Sequence, residues 1–302
     1  MKKIVKHINI ALVLIFLCQL LPTKRDAESS LPLLIFVLIL YGYYLMQLRF
    51  NKNKTRIRTT KDVITILYYI LTLWELATSK LDIIDKVLYP TPSVIIKLLI
   101  QELPEFFKGF ISSFQILLIG YIFALIIAVP LALLIGWKER LYNAISPYTK
   151  VLGPIPPIVY VPYIVAIMPT FRTASIFVIF VGVFWPVFTL TLHGIFNIDK
   201  KIIDSAKVLN VSEKTMLLEI IFPAILPSII RGSSMGLSSS FGILTAAEMI
   251  GARSGLGFYV KYFSDFLDYP KVIVGIIYIG IAVTGATLLF KKVEDRLLRW
   301  RV

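Results

Sequence analysis

The chain alternates long apolar runs with short polar segments. Eight apolar runs lie at residues 8–21, 31–48, 62–78, 110–136, 148–168, 173–192, 225–250 and 271–290. The apolar residues within each run are nearly continuous and lack the three-to-four-residue spacing of an amphipathic helix. A helix that crosses a bilayer needs about 20 consecutive apolar residues. The pattern therefore predicts an all-α polytopic membrane protein.

A short helix is predicted between the third and fourth runs. Thr91 can cap a helix whose first position is Pro92, where the missing N–H has no helical partner to lose. An apolar stripe follows, formed by Val94, Ile95, Leu98, Leu99 and Leu103. Residues 91–103 are therefore expected to lie as a helix in the membrane interface or to pack on the helical bundle.

Composition supports a membrane protein and argues against other classes. Hydrophobic residues make up 57% and charged residues 17% of 302 positions. The net charge of +14 would suit nucleic acid only if the basic residues covered one solvated surface, and here they occupy loops between apolar runs. Cys18 is the single cysteine, and His7 and His193 lie far apart, so the sequence offers neither a disulfide framework nor a zinc motif.

The loops differ strongly in their content of Lys and Arg. If the N-terminus is cytoplasmic, the inside segments carry twenty of these residues and the outside segments carry nine. Basic residues accumulate on the cytoplasmic side of membrane proteins. We therefore expect a multi-pass membrane protein with both termini and the loop at residues 193–224 in the cytoplasm.

The first apolar run has a second interpretation. Lysines followed by a run of about fourteen apolar residues also open a secretory signal peptide. No small-x-small cleavage pattern precedes residues 22–24, and a second apolar run follows almost at once. An uncleaved membrane hairpin is therefore favoured over a cleaved signal. A lipoprotein anchor at Cys18 is disfavoured, because the bulky Phe16 and Leu17 precede the cysteine.

A polar segment between two apolar runs carries the most informative motif. Residues 204–210 read Asp-Ser-Ala-Lys-Val-Leu-Asn, and Pro223 follows thirteen residues after Asn210. This motif resembles the coupling motif of binding-protein-dependent ABC importer permeases, which reads Glu-Ala-Ala, three residues, Gly, a spacer and Pro. The chain departs from that pattern at Asp204, Ser205 and Asn210.

These departures have a physical interpretation. Asn enters the left-handed region more easily than other non-glycine residues, so Asn210 can end a short helix where the family has Gly. Asp204 keeps a carboxylate that we expect near the start of the same helix, where the helix dipole favours it. The alternative is an ordinary capped helix-turn-helix in a loop.

A second motif lies downstream of the first. Residues 246–258 read Ala-Ala-Glu-Met-Ile-Gly-Ala-Arg-Ser-Gly-Leu-Gly-Phe. They closely resemble the segment that follows the coupling loop in ABC permeases for sulfonates, taurine, nitrate and related small anions. The similarity continues through residues 153–157 and 184–186, and weakly through 89–93, so that it covers residues 62–290.

The resemblance implies a six-helix ABC importer permease core preceded by an N-terminal two-helix hairpin. Residues 1–61 would form the hairpin and a basic cytoplasmic loop. Residues 62–302 would form the permease transmembrane domain with its coupling loop at 193–224. The implied ATPase-coupling residues are Asp204, Ser205, Ala206, Leu209, Asn210 and Pro223.

The resemblance also implies a location in the bacterial cell (inner) membrane, partners and a function. The partners are ABC ATPase subunits, an extracytoplasmic substrate-binding protein and a second, identical copy of the permease. ATP and Mg would be bound by the ATPase subunits, with no cofactor in this chain. The function would be ATP-driven import of a small sulfonate-, nitrate- or taurine-like anion by alternating access.

Residues inside the spans offer few candidates for chemistry. The sequence has no Gly-rich loop with a Lys for ATP phosphates and no Gly-x-Ser-x-Gly nucleophile elbow, so we expect no enzyme activity. Prolines and small hydroxyl residues suit either a translocation path or close helix packing. The candidates for the path or its gate are Pro156, Pro157, Ser234, Ser238, Thr245 and Glu248.

Glu248 is an acid near the end of a span, where an ionisable group is costly unless it is paired or hydrated. Its carboxylate could pair with Arg253, accept hydrogen bonds from backbone N–H groups of residues 251–257, or serve as a gate. Direct contact with an anionic substrate is disfavoured because the charges repel.

Two other functions remain as alternatives. A secondary transporter would work without an ATPase partner, but the sequence shows no internal repeat and little intramembrane acid. A membrane-embedded enzyme would need paired catalytic residues, and the sequence suggests none.

Overall fold

A computed structural model describes residues 2–25 and 29–299. These residues form helices joined by turns, with no strand among them, and the prediction of an all-α membrane protein is confirmed. The orientation prediction rests partly on terminal charges that fall outside this description, because residues 300–302 and the side chains of residues 1–6 are not part of it.

Thirteen α-helices follow one another in the described residues. They are α1 (Lys2–Leu20), α2 (Leu31–Phe50), α3 (Lys54–Glu75), α4 (Pro92–Gln101), α5 (Leu103–Gly136), α6 (Glu139–Leu152), α7 (Val161–Ile167), α8 (Phe171–Phe196), α9 (Lys200–Val208), α10 (Glu213–Thr215), α11 (Phe222–Gly251), α12 (Leu256–Asp265) and α13 (Tyr269–Leu297).

Five segments of the described chain are long and apolar enough to cross a membrane. They are α2, α5, α8, the continuous segment Glu213–Gly251 and α13. A bent pair of helices, Glu139–Leu152 and Pro157–Ile167, adds a sixth if it is counted as one span. The predicted spans 8–21 and 62–78 are also helical, but the first is shorter and the second carries charged residues at its ends.

The predicted span 148–168 is broken in the middle. Helix α6 ends at Leu152, and the two halves of the span are bent by 76° relative to each other. Residues 153–157 include three prolines, which supply no backbone N–H and push the preceding residue away from helical geometry. A 3-10 turn at Pro157–Tyr160 restarts the helix that continues as α7.

The predicted short helix after the third run is present as α4. Thr91 occupies its N-cap position with extended backbone angles, and Pro92 is its first residue. The helix buries Ser93 and Ile95 and ends at Gln101, two residues before the predicted boundary.

One compact unit comprises the residues up to Glu105 together with Tyr262–Ile276. Its core includes Ile8 from α1, Val37 from α2 and Tyr68 from α3, all fully buried. Helix α3, which the sequence analysis assigned to the permease domain, packs here against α1 and α2.

A polar cluster ties the α1–α2 connection to the segment after α3. Arg25 donates to Asp82 Oδ1 at 2.6 Å and to the carbonyl oxygens of Tyr89, at 2.7 Å, and Ile84. The hydrogen bond from Arg25 lowers the pKa of the Asp82 carboxyl below its usual value. Lys80 donates to the Leu21 carbonyl at 2.9 Å, near the end of α1. Residues 21–25 of the hairpin connection are therefore fixed to the segment after α3.

The second compact unit comprises Phe106–Lys261 together with the chain from Ile277 onward. Helices α8 and α11 make its most extensive contact. A Cβ on Gly232 would lie 2.8 Å from Val187 Cα, and one on Gly236 would lie 2.9 Å from Val183 Cγ1. Small residues therefore let the two backbones approach closely. Ser233 is buried beside this contact, which agrees with the packing interpretation of the small hydroxyl residues on α11.

Candidate functional site

Helix α9 and its caps form a short polar element, which we call the coupling element (residues 199–212). Asp199 occupies the N-cap position, and its Oδ1 accepts a hydrogen bond from the Lys201 N–H at 2.9 Å. Since the helix begins at Lys200, Asp204 lies in its middle. The prediction that Asp204 sits near the helix start is wrong, because Asp199 already supplies the carboxylate that the helix terminus favours.

Asn210 ends this helix in the predicted left-handed conformation, with φ of 52°. The Asn210 N–H donates to the Lys207 carbonyl at 2.9 Å, and the Val211 N–H reaches the Ala206 carbonyl at 3.5 Å. These two bonds form a Schellman motif, which satisfies carbonyls that a helix end leaves open. The prediction for Asn210 is confirmed.

The coupling element has one face packed inward and one face free. Ala206 is 5% exposed and belongs to a buried apolar cluster with Met216 and Ile221. Val208 and Leu209 are 85% and 76% exposed. Asp204 and Ser205 are also exposed. A groove of about 440 Å³ runs along the element and is lined by Lys201, Ile202, Ser205, Ala206, Leu209, Val211 and Ile220.

A second cap connects the coupling element to α11. The Ser212 side chain accepts a hydrogen bond from the Thr215 N–H at 3.1 Å, which starts α10. A π turn at Met216–Ile221 follows, and Pro223 lies exposed in the first turn of α11. The coupling element is thus directly continuous with the segment Glu213–Gly251.

Glu248 is 1% exposed and fully hydrogen-bonded on both carboxylate oxygens. Its Oε1 accepts from Ser113 Oγ on α5 at 2.6 Å, and its Oε2 accepts from the Gly257 N–H at 2.7 Å. Ser113 Oγ in turn accepts from the Leu256 N–H at 2.9 Å. The carboxylate therefore joins α5, α11 and the start of α12.

We call the segment that joins α11 to α12 the glycine loop (residues 251–257). It fits against the Glu248 carboxylate only because it contains glycines. Gly255 has φ of +124°, and a Cβ there would collide with the Glu248 carboxylate. A Cβ on Gly257 would collide with the Thr245 carbonyl oxygen. Ser254 Oγ lies 2.8 Å from Ser112 Oγ on α5. The loop is therefore fixed to two helices.

Sequence reasoning missed the serines of α5. Ser112 and Ser113 lie inside the apolar run 110–136, and two adjacent hydroxyl residues there carry no motif spacing. The signal that could have found them is Glu248, because a buried carboxylate needs hydrogen-bond donors from elsewhere in the fold.

The surroundings of Glu248 favour one of its three interpretations. Arg253 is not among the partners of the carboxylate, which are Ser113 and Gly257. The space beside the carboxylate measures about 10 Å³, roughly the minimum for one water molecule. The geometry therefore supports the interpretation that Glu248 fixes the glycine loop, and leaves no room for a solute in this conformation.

The other candidates for the path lie apart from this network, except Thr245, which is half-buried beside the glycine loop. Pro156 and Pro157 form the bend between α6 and α7, and Pro157 lies against Gly182 of α8. Ser234 is half-buried and Ser238 exposed one turn further along α11, where its hydroxyl donates to the Ser234 carbonyl at 2.9 Å.

Comparisons with known proteins give a consistent family. The family model described as "binding-protein-dependent transport system inner membrane component" matches residues 120–299. A probable ABC transporter permease protein of Brucella abortus (strain 2308) is 30% identical over 190 residues, which are 63% of this chain and 76% of that protein.

Two relatives carry the names of transported solutes. The nitrate import permease protein NrtB of Leptolyngbya laminosa is 32% identical over 170 residues, 56% of this chain and 61% of that protein. The taurine transport system permease protein TauC of Escherichia coli (strain K12) is 27% identical over 250 residues, 80% of this chain and 90% of that protein. The chain belongs to the family of binding-protein-dependent transport system inner membrane components, and the resemblance to ABC importer permeases is confirmed.

Proposed function

We propose that this member of the binding-protein-dependent transport family is the membrane subunit of an ATP-driven importer that works by alternating access. Two copies of the chain enclose the translocation path. ATPase subunits dock on the cytoplasmic side, bind ATP and Mg, and supply the energy. An extracytoplasmic binding protein delivers a small sulfonate-, nitrate- or taurine-like anion, as the names of two relatives suggest.

One observation carries this proposal: the coupling element presents apolar side chains that its own fold leaves uncovered. The Schellman motif at Asn210 ends α9 so that Val208 and Leu209 point away from the apolar cluster that holds Ala206. Adjacent exposed apolar side chains on a short polar element suit docking to a partner protein. We assign this docking role to the ATPase subunit.

The element is also built to transmit force. Ala206 anchors it to the apolar cluster, and its caps connect it to α11 without an intervening loop. Closure of the ATPase dimer pushes the coupling element, and α11 tilts with it as a rigid body. The energy comes from the different affinity of nucleotide for the two states.

The opposite end of α11 carries the proposed outer gate. Glu248 acts as a positioning residue that holds the glycine loop against α5 through Ser113. Movement of α11 would change the distance between these partners. The carboxylate thus links the position of α11 to the closure of the path on the outside.

A substitution at Leu209 tests the docking role. Leu209→Asp places a charge on the exposed tip without touching the buried face. We expect the variant to lose co-purification with the ATPase subunit and to lose uptake, while its unfolding temperature in detergent stays at the wild-type value. Leu267→Asp is the control, because Leu267 is also an exposed leucine, at 62% against 76% for Leu209. A Leu209→Asp protein that retains the ATPase subunit and transports normally contradicts the proposal.

A further inference from the structure

Arg231 is a charged residue that the sequence analysis did not single out. It lies on α11, inside a segment apolar enough to cross a membrane. Its Nε donates to the Pro227 carbonyl of the same helix at 3.3 Å. Within residues 29–299, no carboxylate lies within ion-pair distance of its guanidinium. A charged side chain in a span is costly unless it faces a partner or a water-filled cavity.

Arg231 lines a cavity of about 870 Å³. The cavity lies between the last turns of α8, the first half of α11 and the start of the coupling element, with His193, Asn197 and Ile202 among its lining residues. Its volume falls in the range of small-molecule sites. The guanidinium therefore has an aqueous space to face, and the space is large enough for a solute.

The polar groups of the cavity favour an anion in contact with α11. Ser228, Arg231 and Ser234 lie three residues apart on α11 and all line the cavity. They offer a guanidinium fork and two hydroxyls, the donors that suit planar or tetrahedral oxyanions. Among the described residues, Arg231 is the single Lys or Arg of the lining.

Two carboxylates also line the cavity. Asp199 belongs to the coupling element, where its Oδ1 already accepts the capping bond from Lys201. Glu294 lies near the end of α13. Neither reaches Arg231 within 4.0 Å, so the guanidinium has no carboxylate partner in the part of the chain that the structure describes.

We propose that Arg231 binds the anionic group of the transported solute in this cavity, with the hydroxyls of Ser228 and Ser234 as further donors. The ligand class is a small oxyanion such as a sulfonate. This inference rests on the importer function proposed above and adds to it a residue that contacts the solute at the end of the path nearest the coupling element.

Thiol labelling of the purified permease in detergent tests the proposal. A single cysteine is placed at position 234 by Ser234→Cys in a Cys18→Ser background. Its reaction rate is measured with the anionic reagent 2-sulfonatoethyl methanethiosulfonate and with the cationic 2-(trimethylammonio)ethyl analogue. We expect the anionic reagent to be favoured, and Arg231→Gln to lower the anionic-to-cationic rate ratio about tenfold, because one nearby charge acts on both reagents in opposite directions.

Two controls keep the result specific. Arg231→Lys preserves the charge and should preserve the ratio. Position 238 lies about 6 Å further along the helix than position 234. Arg231→Gln should therefore change the anionic-to-cationic rate ratio of a Ser238→Cys protein less than that of the Ser234→Cys protein. If Arg231→Gln does not yield folded protein, added methanesulfonate should still slow the labelling of Cys at position 234 relative to gluconate of equal ionic strength.

The outcomes separate this inference from the importer function. The labelling uses no ATPase subunit and no ATP, so it succeeds or fails independently of coupling. The anion site is wrong if folded Arg231→Gln protein keeps the wild-type anionic-to-cationic rate ratio, or if methanesulfonate gives no protection. Neither outcome affects the Leu209→Asp test of ATPase docking. If position 234 reacts with neither reagent, the cavity is closed to water and the proposal is wrong.

Discussion

Ser113 Oγ lies 2.6 Å from Glu248 Oε1 and joins two helices across 135 sequence positions. The same hydroxyl accepts the Leu256 N–H, and the same carboxylate accepts the Gly257 N–H. Each group is buried, so each bond that is lost leaves an unsatisfied partner. A substitution at Ser113 or Glu248 should therefore release the glycine loop from α5 and α11.

Replacing Glu248 should separate its hydrogen-bonding role from its charge. Glu248→Gln keeps an oxygen that accepts one of the two bonds, so we expect the fold and much of the transport to remain. Glu248→Ala leaves the Ser113 hydroxyl and the Gly257 N–H without their acceptor, at a cost of about 1–3 kcal/mol for each buried group. The glycine loop then loosens, and basal ATPase activity without binding protein should rise in the reconstituted complex.

Two results would count against this role. Wild-type basal activity and transport in Glu248→Ala would show that the carboxylate does not hold a gate. Glutamine as inactive as alanine would show that the charge itself is required, and contact with the solute would then become the better account.

Gly255→Ala should reproduce the effect of Glu248→Ala without changing the acid. Gly255 has φ of +124°, and a methyl group there would meet the Glu248 carboxylate. Strain of this kind costs about 1–3 kcal/mol. Gly280→Ala is the matched control, because nothing lies within 4 Å of a Cβ at that position of α13. The control should be neutral or stabilising by about 1 kcal/mol. Equal unfolding temperatures for the two variants would contradict the packing argument.

Asn210 offers a test of the turn that ends α9. Asn210→Gly should be close to neutral, since Gly adopts the left-handed conformation at least as easily. Asn210→Val should lose about 1–2 kcal/mol of stability, because a β-branched residue resists positive φ. Thermal unfolding in detergent and solute uptake measure the two effects. Uptake by Asn210→Val at the wild-type rate would show that the shape of this turn does not matter for coupling.

Cysteine labelling tests the proposed orientation. Lys207 is exposed on the coupling element, and the charge distribution predicts that it faces the cytoplasm. In a Cys18→Ser background, Lys207→Cys should stay unlabelled by an impermeant reagent added to intact cells and should react in broken cells. Lys86→Cys, on the predicted outside, should react in both. Labelling of position 207 from outside would reverse the topology.

Local signals in the sequence were enough for the helices and for the turn at Asn210. Long apolar runs can satisfy their backbone groups in a membrane only as helices, and the side chain of Asn tolerates positive φ wherever a helix must end. The same local reasoning misplaced Asp204, because the start of α9 depended on which of two nearby acids capped it. It also did not place the bend within residues 148–168, where the prolines stop the helix.

The sequence by itself determined the fold class, the family and the candidate coupling segment, since these depend on runs and spacings along the chain. Only the tertiary structure decided what each polar group in the spans contacts. Ser113 and Glu248 are paired because α5 and α11 pack together, and Arg231 faces a cavity because α8 and the coupling element leave space beside it. Contacts between distant segments follow from packing, which no local pattern of apolar and polar residues specifies.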